Sequence, residues 1–172
     1  MGELNPIRVR YNGLFDFDGL YASIIEWAKS YNYMWHEKQF KHKVNSGGAE
    51  LEMIWYVEKR VDEFIQYKIT MNVHVWDLHE VEVDISGKKK KLSNARIQII
   101  MKGEVVGDVN KFGKEKGRLN KIFSKLYKEQ VNPEEDHEGI LHYRINNLQG
   151  VMKDYFDMQT KKNVYKGILG EN

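Results

Sequence analysis

A chain of 172 residues with 27 Lys or Arg, 25 Asp or Glu and a formal charge of +2 suits one domain plus an extension, burying roughly two-thirds of its unfolded surface. Hydrophobic residues at 41% and aromatics at 12% exclude a disordered chain, and the absence of Cys excludes disulfides, thiolate chemistry and zinc sites built on sulfur. Residues 1–10 lack the apolar core of a signal peptide and no stretch approaches the ~20 apolar residues that span a bilayer, so the expectation is a soluble, cytoplasmic protein.

Residues 7–15 read as a strand. Asp16 or Asp18 then caps a helix with Leu20, Ile24, Trp27, Ala28 and Tyr31 on one face, and Asn32 stops it. From Met34 to Val106 the chain alternates with period two. The Asn45-Ser46-Gly47-Gly48 stretch supplies a hairpin turn that sets Lys43 opposite Glu50, Lys41 opposite Glu52, Phe40 opposite Met53 and His42 opposite Leu51. Charges and apolar partners thereby sort to separate faces, with His42 at the edge of the core.

A turn near residues 59–62 leads into the clearest strand, where Ile65, Tyr67, Ile69, Met71, Val73 and Val75 point inward. A further turn at His74 to Glu80 precedes Val81, Val83 and Ile85, which alternate with Glu80, Glu82 and Asp84. Those acids are expected on an outward face, with Lys88 to Lys91 and Arg96 as partners. Ser86-Gly87 turns the chain into a last strand through Ala95, Ile97, Ile99 and Met101.

A second helix is predicted over 112–129, with Phe112, Leu119, Ile122, Phe123 and Leu126 on one side. Lys114, Arg118, Lys121, Lys125 and Lys128 form a basic stripe roughly opposite. Asn132-Pro133-Glu134-Glu135-Asp136 starts a short helical turn that Gly139 interrupts, and a third helix follows over 147–159 through Leu148, Val151, Met152 and Tyr155. Residues past Lys161 are expected to fray or dock elsewhere. The fold class is α+β: an antiparallel meander of about five or six strands with helices on one face. The domain spans 1–130 and a C-terminal helical extension spans 131–172.

This order of strand, helix, meander and long amphipathic helix resembles the helix-grip, or START-like, domains over residues 7–129. The resemblance is one of topology and implies a cavity for an apolar ligand between curved sheet and long helix. The chain runs from Tyr31 almost directly into the next strand, without the extra helices usual there, which leaves less room for a cavity. Residues 8–15 (RVRYNGLF) and 87–92 (GKKKKL) are also similar to small archaeal proteins of unknown function, a likeness that carries no activity with it.

Charge is asymmetric along the chain. Residues 86–130 hold 13 Lys or Arg against 4 Asp or Glu, while the remainder holds 14 against 21. Such a basic region suits RNA, a ribosome or an anionic membrane; a solvated face with a lysine-rich tip that discourages edge pairing accounts for it equally simply. No RRM, KH or helix-turn-helix signature occurs.

Catalytic signals are sparse. His74, Asp77, His79 and Glu80 offer nitrogen and oxygen ligands at one turn, but the spacing is not HExxH. No metal or other cofactor is assigned. His36 and His42 share strand parity but lie about 20 Å apart at ~3.3 Å per residue. Neither GxGxxG nor GxxxxGK[ST] is present, no serine lies in a nucleophile elbow, and helix capping accounts for Asp16 or Asp18.

The expectation is therefore a non-enzymatic binding module. First comes an apolar or amphipathic small molecule held by Tyr67, Ile69, Met71, Ile99, Met101 and Phe123. Second is an RNA- or ribosome-associated role for Lys88, Lys89, Lys90, Lys91, Lys114, Arg118, Lys121, Lys125 and Lys128. A metal-dependent hydrolase around His74 to Glu80 ranks third.

Overall fold

The computed structural model describes residues 2–45, 47–61, 65–85, 88–107 and 133–156. The elements are β1 (Gly2–Glu3), β2 (Ile7–Phe15), α1 (Phe17–Ser30), β3 (Met34–Asn45), β4 (Gly48–Arg60), β5 (Ile65–Ile85), β6 (Lys88–Gly107) and α2 (Pro133–Tyr155). The protein is α+β, with an antiparallel sheet in the order β1-β6-β5-β4-β3 and β2 also paired to β6. β3 to β6 form a meander whose last strand returns beside the N-terminal one.

Asp16 is the N-cap of α1, its carboxylate accepting from the Gly19 amide at 3.0 Å, while Asp18 sits in the first turn near the positive end of the helix dipole. Asn32 has φ 59°, a left-handed geometry that asparagine tolerates better than most residues, and the chain turns there into β3. The β3–β4 hairpin adopts the register read from charge, including Lys43 with Glu50 and Lys41 with Glu52.

Three expectations need correction. His42 is exposed, and its neighbour Phe40 is 56% exposed, because β3 ends the sheet and has a strand on one side only. No turn separates Val75 from Val81: β5 runs on to Ile85, with a bulge where Trp76 pairs Arg96 but His79 pairs Asn94. The extra residue inverts the alternation, so Glu80 and Glu82 join the row of Ala95 and Val81 joins the row of Asn94. Finally, the expected short turn and third helix are one helix, α2. Gly139 and Gly150 cost about 1 kcal/mol each, outweighed by burial of Leu141, Ile145, Leu148 and Met152 on one stripe. The expected helix over 112–129 and the chain past Lys161 lie outside the described residues.

The core lies on one side of the sheet. Val9, Leu51, Met53, Trp55, Val57, Ile69, Met71, Val73, Val75, Ile97, Ile99 and Met101 form one buried cluster with Leu20, Ile24 and Trp27 of α1 and the α2 stripe. Phe17 and Tyr21 lean on Trp55 with ring centres 6.4 and 5.2 Å away. Gly103 of β6 carries no side chain where α2 crosses; a Cβ there would collide with the Ile145 methyl end. The helices are tied together by Trp27 Nε1 donating to Asn147 Oδ1 at 2.8 Å and the Tyr155 hydroxyl donating to the Asp16 carbonyl at 2.8 Å. Burial, followed by the nearby charges of Asp16 and Asp18, pushes the Tyr155 hydroxyl up to about 12. Burial also pushes Tyr33 to about 12, with Arg144 partly opposing it. Among the described residues, no helix is long and apolar enough to cross a membrane.

Candidate binding site on the solvent-facing side of the sheet

The opposite side of the sheet presents the even-numbered positions of β2 and β6 and their partners on β5 and β4. Register sets Arg10 beside Gln98 and His74, and Asn12 beside Arg96 and Trp76. These rows meet next to the bulge, where Asp77 has φ 55°. Gly48 of the neighbouring hairpin approaches so closely that an added Cβ would stand 2.9 Å from the Asp77 carbonyl carbon, so only glycine fits there.

A groove of about 490 Å³ opens at this point, lined by Arg10, Asn12, Trp76, Arg96 and Gln98 together with Tyr11 and Ile97. Its polar groups are held in place. Arg10 Nε donates to Gln98 Oε1 at 2.8 Å, which fixes the stem of the side chain. Arg96 donates through Nε to Asp77 Oδ2 at 2.7 Å, with its Nη2 also 2.7 Å away. Arg96 also lies 5.8 Å from the Trp76 ring centre, and His74 stacks on that indole at 3.8 Å with the planes 23° apart. Arg8 and Lys102 continue the basic character along β2 and β6 on the same side.

On the other side of Trp76 stand His74, Glu50 and Glu52. Glu50 Oε1 accepts from His74 Nε2 at 2.6 Å, and Lys41 Nζ is 3.5 Å from Glu52 Oε2. Further along, His36 stacks on Tyr56 at 4.6 Å and Lys68 lies 5.2 Å over the same ring.

The residues singled out from sequence fall in different places. His74, Asp77, His79 and Glu80 do not converge, because the bulge disperses them: His74 turns to Glu50, Asp77 to Arg96, His79 to the Gly47 carbonyl at 3.1 Å, and Glu80 to Lys91 at 3.7 Å on the other face. A bulge at Lys38 also breaks the shared parity of His36 and His42, sending them to opposite faces. Tyr67, Ile69, Met71, Ile99 and Met101 do come together, at 0–4% exposure in the centre of the core, with the Tyr67 hydroxyl 2.6 Å from His137 Nδ1. Phe123, Lys114, Arg118, Lys121, Lys125 and Lys128 lie outside the described residues. Lys88 to Lys91 open β6, where Lys89 and Lys91 pair with Glu82 and Glu80 at 3.7 Å in largely exposed contacts of small energetic weight.

Sequence reasoning passed over Arg10, Asn12, Trp76 and Gln98. A large aromatic at an outward strand position was the available signal; its neighbours depended on the pairing of β2 with β6, far apart in the chain. No protein-family model matches the chain, and a comparison with curated proteins finds no match.

Proposed function

We propose that the chain is a non-enzymatic binding module that holds single-stranded RNA across the solvent-facing side of its sheet. The observation that carries this reading is the groove in which the Arg10 guanidinium and two carboxamides stand beside Trp76, with Arg96 held on Asp77. Guanidinium forks match phosphate oxygens, carboxamides match the donor and acceptor edges of unpaired bases, and sheets bearing exposed aromatics suit splayed single strands. Arg8 and Lys102 extend the path for a backbone beyond the groove, and the basic composition of residues 86–130 has the same sign.

An apolar-ligand pocket of helix-grip type draws less support. The described part of its proposed lining, Tyr67, Ile69, Met71, Ile99 and Met101, packs into the same cluster as α1 and α2, and such packing accounts for the burial of these five without a guest. The test is fluorescence anisotropy with a labelled single-stranded oligoribonucleotide over a salt series. Arg10→Glu should weaken binding at least tenfold and flatten the slope of log K against log salt by about 0.7 or more for each phosphate that the variant ceases to neutralise. Unchanged affinity in this variant, or binding indifferent to salt, overturns the proposal.

A further inference from the structure

Glu50 and Glu52 stand two residues apart on the solvent-facing side of β4, and His74 reaches them from β5. One ligand atom from each lies within 4.8 Å of the others, and the three side chains are 24%, 35% and 31% exposed. Ordinary strand chemistry would neutralise both acids with the lysines that face them across β3. Lys41 does stay near Glu52, at 3.5 Å. Glu50 does otherwise: register sets Lys43 opposite it, yet its ion-pair partner among the described residues is His74, at 2.6 Å. The β5 bulge explains how. Leu51 pairs with Val75 and Ala49 with Leu78, so Glu50 faces the irregular stretch and its carboxylate is re-aimed along β5. The His74 ring is clamped at 3.8 Å on Trp76, so its orientation is settled in advance.

We propose that Glu50, Glu52 and His74 form a binding site for a divalent transition-metal ion, with Mn²⁺ and Zn²⁺ as the test ions. Two carboxylate oxygens and one imidazole nitrogen on one side leave the remaining coordination positions to water, and the imidazole favours these ions over Mg²⁺ or Ca²⁺. The ion takes the place of the hydrogen bond between Glu50 and His74. Lys41 competes for Glu52. None of the three ligands lines the Arg10 groove, although His74 stacks on Trp76, which does.

The experiment is calorimetric titration of the full chain with MnCl₂ and ZnCl₂, paired with amide NMR in the presence of trace Mn²⁺. One ion per chain is expected. His74→Gln and Glu52→Gln each weaken it tenfold or more with an unchanged circular dichroism spectrum, and Lys41→Ala binds as tightly or more tightly. Paramagnetic broadening should begin at Glu50, Glu52 and His74, a readout on the unmodified protein that does not depend on the variants folding. No binding by the unmodified chain, equal binding by both ligand variants, or broadening centred on other histidines overturns the proposal.

Discussion

Removing residues 131–172 tests whether the C-terminal helix is an appendage or part of the core. Leu141, Ile145, Leu148, Met152 and Phe156 are each 0–3% exposed and belong to the cluster built on β5 and β6. At ~1.5–3 kcal/mol per fully buried apolar side chain, their withdrawal forfeits roughly 8–15 kcal/mol. The partners uncovered on β6 and α1 add to that loss. Net stabilities of single domains are only about 5–15 kcal/mol, so the truncated chain should show no cooperative thermal transition by circular dichroism. A milder perturbation leaves a folded protein to measure. Leu148→Ala in the full chain should cost about 2–5 kcal/mol, and its Tm should fall by roughly 2–4 °C for each kcal/mol. A truncated chain that melts cooperatively within a few degrees of the full chain would refute the assignment of α2 to the core.

The remaining predictions concern α1 and the raised tyrosines. Asp16→Ala removes the acceptor for the Gly19 amide and should cost about 1 kcal/mol in urea unfolding; a loss near zero would mean that another group satisfies the helix start. Because Tyr33 and Tyr155 hold their protons up to about pH 12 while the unfolded chain releases them near 10, the native state binds more protons between those values. Stability is therefore complete below pH 10 and declines as pH rises to about 12, with the buried Tyr33 contributing up to ~2–3 kcal/mol. The double variant Tyr33→Phe, Tyr155→Phe should lose much of this alkaline slope, and an undiminished slope in urea midpoints across that range would contradict the burial argument.

How far the sequence reaches is visible element by element. A cap at Asp16 or Asp18, Asn32 as stop and the Lys43–Glu50 and Lys41–Glu52 register were legible because each depends on residues close in the chain, though only the structure picks Asp16 over Asp18. The candidate site was not. Its groove joins Arg10 and Asn12 to Arg96 and Gln98 through a strand pairing that spans more than eighty residues, as the Arg10–Gln98 bond does, and no local pattern announces it. Nor did composition reveal α2 as one helix, since Gly139 reads as a break until burial of the stripe beyond it is known.

By itself, then, the sequence determined an antiparallel meander with one apolar face, because strand alternation and hairpin chemistry are properties of neighbouring residues. Tertiary structure alone decided where that alternation inverts. The strained Asp77 and the Lys38 bulge each insert a residue opposite a partner strand, and a period-two pattern cannot show which strand will be out of step. That inversion sends Glu80 to the face opposite His74, and the matching irregularity in β4 turns Glu50 toward His74, so the bulge, more than any motif, determines which side chains share the solvent-facing site.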